Sequence, residues 1–142
     1  MEKLLVPIDG SKHSMDALLE AKKLGSRCNT SKITILNVYP TMKQLKYVQY
    51  ESDYSKIEES MVENSKKILE EALKLFDGYP GEVNTISKKG DPAEEILKLS
   101  EEGDFDCIIM GNQGLGKFSR ALLGSVSNKV SNHAKINVLI TK

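Results

Sequence analysis

A chain of 142 residues with twenty Lys+Arg and twenty Asp+Glu carries no formal net charge. It therefore lacks the basic field that gathers nucleic acid or draws a protein onto an anionic membrane. The length suits one domain, residues 1–142, with a core that hides roughly 68–70% of the unfolded surface. Two cysteines, Cys28 and Cys107, have no CxxC partner and no histidine at ligand spacing, which argues against a zinc site, a redox motif or a disulfide framework. They read as small core hydrophobes in a reducing cytoplasm.

The N-terminus offers only Leu4, Leu5, Val6 and Ile8 before Asp9-Gly10, too short an apolar run for a signal peptide or a membrane span, so a soluble cytoplasmic protein is expected. Residues 3–8 read as a first strand. Ser11 then caps a helix to about Leu24, with Gly25 placed to end it in the left-handed conformation. Residues 33–38 form a second strand. Segment 39–54 carries four of the five tyrosines and is longer than a simple connection needs. It is either a lid or contact loop, or an irregular crossover whose tyrosines cover the sheet edge.

A long helix follows over residues 55–76, its apolar positions supplied by Ile57, Met61, Val62, Ile68, Leu69, Ala72, Leu73 and Leu75. Residues 83–88 make a third strand, polar enough to sit at an edge. Asp91 as cap, Pro92 at the first helical position and Glu94 at the third announce another helix ahead of Ile96, Leu97 and Leu99. Residues 107–110 form a fourth strand, a last helix runs from near Ser125 to about His133, and residues 138–141 form a fifth strand. Short apolar runs alternating with helix-period segments predict an α/β fold, a parallel sheet wrapped by helices.

Ligands of open parallel sheets bind beyond the carboxyl ends of the strands, where the winding reverses. Those ends are Pro7-Ile8-Asp9-Gly10-Ser11, Val38-Tyr39-Pro40 and Met110-Gly111. Asp9 is either a turn residue or a carboxylate offered to a ribose, an adenine amino group or a metal. After the fourth strand come Gly111, Gly114, Gly116 and Gly124, the last leading into Ser125, Val126 and Ser127 at a helix start. Glycines admit converging backbone N–H groups, so the segment reads as a phosphate cradle.

Two better-known phosphate motifs fail here. Gly111 to Lys117 fits seven positions of GxxxxGK[ST], but Phe118 replaces the magnesium-binding hydroxyl, and the third glycine of GxGxxG would fall on Ser119. Lys117 and Arg120 are candidate phosphate contacts, or solvated loop charges. His13 has no nucleophile to serve and reads as a helix-surface residue, while His133 suits the last carbonyls of its helix.

Over nearly its whole length the chain resembles the universal stress protein family. The resemblance rests on Leu4-Leu5-Val6-Pro7-Ile8-Asp9-Gly10-Ser11, on Gly90-Asp91-Pro92-Ala93-Glu94-Glu95-Ile96 and on Asp106 through Gly111. It also rests on GxxG, nine residues, then G[ST], filled by Gly111, Gly114, Gly124 and Ser125, the spacing of the family's ATP-binding branch.

The resemblance implies a five-stranded parallel sheet in the order 3-2-1-4-5, with helices on both faces, an adenine nucleotide α-hydrolase-like fold. It implies that ATP, with Mg²⁺, lies across the crevice. Pro7, Asp9 and the Val38 backbone would meet adenine, Met110 and Gly111 the ribose, and Gly114, Gly124, Ser125, Val126 and Ser127 the phosphates. It implies further a homodimer through the edge strand 138–141 and a nucleotide-dependent regulatory or stress-response module rather than a dedicated enzyme. A slow ATPase or phosphotransferase using the same pocket is the alternative. Two departures stand out: Asn137 where many relatives carry proline, and Asn112-Gln113 between the first glycines.

Overall fold

The computed structural model describes residues 1–30, 32–45, 51–113 and 123–142. In chain order the elements are β1 (Lys3–Pro7), α1 (Lys12–Arg27), β2 (Lys32–Tyr39), a 3-10 turn (Met42–Gln44), α2 (Glu51–Lys74) and β3 (Glu82–Lys89). They are followed by α3 (Pro92–Glu102), β4 (Cys107–Gly111), α4 (Ser125–His133) and β5 (Asn137–Thr141). The strands form one sheet in the order β3-β2-β1-β4-β5, every adjacent pair parallel, as the alternation of elements predicts. The winding reverses between β1 and β4, which are neighbours with Leu4 opposite Cys107.

Successive strand residues point to opposite faces, and the core divides accordingly. Leu4, Val6, Ile33, Ile35, Cys107 and Ile109 face α1 and α2, where Ala17, Leu18, Ala21, Leu69 and Ala72 meet them. Leu5, Leu36, Ile108 and Met110 face α3 and α4, packing on Ala93, Ile96 and Val130. Every residue of β4 is buried, whereas no residue of β3 is. A strand covered on both faces reads as a continuous apolar run and an edge strand does not.

α1 begins where Ser11 caps it, but it runs through Gly25 to Arg27 instead of ending there. The reason lies outside the helix. A Cβ on residue 25 would collide with the Tyr79 hydroxyl and stand 3.2 Å from Ile33, so the glycine serves close packing. The left-handed residue is Asn29, φ 54°. Cys28, expected in the core, is the exposed C-cap of α1, and only Cys107 is buried.

α2 starts at Glu51, inside the segment read as a loop, and ends at Lys74, two residues before Phe76. Leu73, counted above among its apolar positions, is exposed. The buried line continues instead through Phe76, whose ring meets that of Tyr79 edge-on at 5.5 Å. α3 opens on Asp91, whose side chain accepts from the Glu94 N–H. α4 spans Ser125–His133, and the His133 Nδ1 lies 2.9 Å from the Lys129 carbonyl oxygen, in keeping with the helix-end role expected of it.

One carboxylate ties the start of β1 to the start of β4. Asp106 Oδ2 accepts from Glu2 N at 2.7 Å and Lys3 N at 2.8 Å, and the Asp106 N–H donates to the Lys3 carbonyl. The backbone donors of Lys3 and then Glu2 hold the carboxyl below its ordinary pKa. A carboxylate lowered in this way adds stability above the ordinary carboxylate pKa of about 3.9, and that stability is lost as pH falls through the folded-state value. Asp106→Asn should therefore lower the urea midpoint at neutral pH, and its deficit against the wild type should vanish in strong acid. A deficit independent of pH would remove the charge from this explanation.

Candidate nucleotide site

The turn after β1 is built by a closed set of hydrogen bonds. Gly10 takes φ +84°, a conformation that costs a side-chain-bearing residue and not glycine. Asp9 Oδ1 accepts from the Ser11 N–H at 2.9 Å, and the Asp9 N–H donates to Ser14 Oγ at 3.3 Å. The Ser14 N–H donates to Ser11 Oγ, while Ser14 Oγ donates to the Ser11 carbonyl. Asp9 thus has the geometry of a turn residue, and it also lines a cavity.

The end of β4 approaches the same turn. A Cβ on Gly111 would lie 2.8 Å from the backbone carbon and oxygen of His13, closer than real Cβ atoms come to backbone. Beyond it the Asn112 N–H donates to the Thr141 carbonyl, while the Asn112 carbonyl accepts from the Gly124 N–H at 2.7 Å and from Ser127 Oγ at 3.0 Å. These bonds set the start of α4 beside the end of β4. Ser127 Oγ also lies 3.1 Å from the Gly124 carbonyl, so its hydroxyl is engaged within the protein. The Asn112 Oδ1 is buried with no hydrogen-bond partner.

A cavity of about 310 Å³ opens between these elements. One wall is apolar, made by Pro7, Leu36, Val38, Ile96 and Met110. Asp9 and Ser14 stand on one side, and Gly111, Gln113 and the residues Gly124 to Ser127 on the other. Among the described residues, α1 is capped by the Ser11 side chain and α3 by that of Asp91, whereas Gly124, which opens α4, has no side chain to cap it with. The N–H groups of a helix's first turn have no partner within the helix and carry its positive dipole end. α3 reaches the cavity through Pro92 and Ile96. Lys129 of α4 lies 3.8 Å from Glu94 and 4.0 Å from Asp91, an exposed set of charges worth little by itself.

Pro7, Asp9, Val38, Met110, Gly111, Gly124, Ser125, Val126 and Ser127, singled out from the sequence, all line this one cavity. Gly114, Lys117 and Arg120 lie outside the described residues. Sequence reasoning missed Ser14, Leu36, Pro92 and Ile96, while Gln113, noted there as a departure between the first glycines, does line the cavity. Leu36 was recoverable as the residue two before Val38 on the same strand face, and Ser14 as the residue three beyond the cap Ser11. His13, half-buried, contributes its backbone to the packing on Gly111. Among the described residues no group of three or more His, Cys, Asp or Glu side chains could hold a metal, and no helix is long and apolar enough to cross a membrane.

A parallel α/β sheet with a crevice at its switch point, one wall apolar and the other a helix start, places the chain in the doubly wound α/β class. Within it, the chain belongs to the universal stress protein family, whose family model it matches over residues 1–142. It is 32% identical to the universal stress protein YxiE of Bacillus subtilis over 146 residues, covering 99% of this chain and 98% of that protein. Among solved structures it superposes on the hypothetical protein MJ0577 with a TM-score of 0.86 at 29% identity, covering 99% of this chain and 95% of the other. A universal stress protein solved in complex with cAMP is 26% identical, with a TM-score of 0.74 and coverage of 99% and 97%.

The contact of Gly111 with His13 carries a prediction. Gly111→Ala must push the first turn of α1 away from β4, which by the usual cost of overpacking lowers stability by about 1–3 kcal/mol. Chemical unfolding measures it, and a variant as stable as the wild type would show that this approach imposes no constraint.

Proposed function

We propose that the cavity binds an adenine nucleotide, ATP with its Mg²⁺, and that the protein is a nucleotide-dependent regulatory module of the stress-response type. The observation that carries this reading is the pairing of an apolar wall with a helix start opened by a glycine in one cavity. Pro7, Leu36, Val38, Ile96 and Met110 suit the faces of a base, and the first-turn N–H groups of α4 suit phosphate oxygens. Asp9, fixed through its Oδ1 by the Ser11 N–H, can accept from the base's amino group. The spacing of Gly111, Gly114, Gly124 and Ser125 and the cAMP bound by a relative support the same ligand class.

Binding energy that acts only on the folded, closed site stabilises one conformation and so presents or hides a partner surface. The wild type should gain about 5–10 °C in Tm at ATP a hundredfold above its Kd. Gly124→Asp puts a carboxylate acceptor at the start of α4, where it competes with phosphate, and should abolish that gain without lowering the ligand-free Tm. Equal ATP stabilisation of both proteins would overturn the assignment of the phosphate end.

The last strand extends the proposal to assembly. β5 is a sheet edge with Leu139 exposed, and an apolar edge invites pairing with a second copy. Leu139→Lys should convert a homodimer to a monomer in sedimentation or light scattering. A wild type that is already monomeric at high concentration would refute pairing through β5.

A further inference from the structure

We propose that Asn37, on the face of the sheet away from the cavity, is the positioning residue that holds the Asp9 turn in place by donating to the Ile8 carbonyl. This rests on the nucleotide reading above and names the part of the molecule that sets its carboxylate.

β1 ends at Pro7, paired with Leu36, while β2 continues to Tyr39. One backbone bond carries the pairing a step further, Ile8 N–H to the Leu36 carbonyl at 2.8 Å. The next rung of a parallel ladder would use the Ile8 carbonyl as acceptor. Here Asn37 Nδ2 donates to that oxygen at 2.8 Å. The side-chain amide thus closes the ladder one residue before Asp9, at the place where β1 turns away from β2 and the cavity begins.

Period-two alternation puts Asn37 on the same face as Ile33 and Ile35, under α1 and α2, while Leu36 and Val38 line the cavity on the other. Asn37 is 4% exposed, on the face whose strand residues Leu4, Val6, Ile33, Ile35, Cys107 and Ile109 are otherwise apolar. A buried amide costs free energy unless its hydrogen bonds are made, so an aliphatic residue would serve packing there at least as well. What an aliphatic residue cannot do is hold the Ile8 carbonyl.

A second pair of polar groups continues the row. Ser87 of β3 is the register partner of Asn37, and its hydroxyl lies 2.6 Å from that of Ser65 on α2, itself buried. The row Ser65, Ser87, Asn37 and Ile8 runs beneath the sheet from α2 to the turn that carries Asp9.

Two measurements on the full chain test the assignment. Asn37→Leu and the smaller Asn37→Ala remove the donor to Ile8, and Ser87→Ala, which leaves that donor intact, is the control. Without nucleotide, amide exchange at Asp9 and Ser11 should accelerate about tenfold relative to the slow amides of β2 in the Asn37 variants, and not in the control. Acceleration at Asp9 and Ser11 no greater than in Ser87→Ala would overturn the proposal, and the Asn37→Ala variant decides if the Leu variant does not fold. With ATP, each Asn37 variant should bind about tenfold more weakly than the wild type. In an Asp9→Ala background the same substitution should change affinity less than twofold, because its effect passes through Asp9. An equal loss in both backgrounds would reduce Asn37 to a packing role. A wild type that binds neither ATP, AMP nor cAMP would instead remove the nucleotide reading, and amide exchange alone would then decide the role of Asn37.

Discussion

The first turn of α1 can lie against the end of β4 only because residue 111 has no side chain, and the architecture of the site depends on that approach. It brings the backbone of His13 to Gly111. The same turn holds Asp9 through Ser11 and Ser14, and β4 beyond Gly111 holds the start of α4 through the Asn112 carbonyl. Two chain segments about a hundred residues apart are thereby set across one cavity. Neither could be placed by its own local conformation.

Energetically the two faces of the sheet do different work. The face toward α1 and α2 is closed by a layer of aliphatic side chains running from Leu4 to Ile109. The face toward α3 and α4 is closed at the amino ends of the strands by Leu5, Ile108 and Phe105, but toward the carboxyl ends Leu36, Val38 and Met110 border empty space. Apolar surface left facing a cavity forgoes the dispersion contacts of a filled core. In the proposed reading a flat apolar ligand recovers them, so that binding and folding stability draw on the same residues. The fully packed opposite face supplies the rigidity against which the turn at Asp9 and the helix start at Gly124 keep their geometry.

Much of this is legible in the sequence, for reasons that can be stated residue by residue. The buried strands are continuous runs of Leu, Ile and Val, so β1, β2 and β4 declare themselves within a residue or two of their ends. Asp91-Pro92 marks the start of α3 because cap, proline and an acidic third position coincide. The rule that ligands sit beyond strand ends collects Pro7, Asp9, Val38 and Met110 into one place. What escapes is whatever depends on a distant neighbour. Gly25 has the look of a helix terminator, yet it is kept small by Tyr79, 54 positions away. Cys28 looks like a core residue and instead caps α1 at the surface. Ile96 and Pro92 join the cavity only because α3 packs over the carboxyl end of β2. The polar Asn37 within an aliphatic strand is visible in the sequence as an anomaly, but its partner, a carbonyl on another strand, is not.

The most direct test of nucleotide binding needs no substitution. Purified without added nucleotide and then denatured, the protein should release close to one ATP or ADP per chain, identified by chromatography and mass spectrometry. An empty protein that also fails to bind added ATP would contradict the assignment of the cavity, leaving a universal stress protein fold whose apolar wall and glycine-opened helix start serve some other ligand.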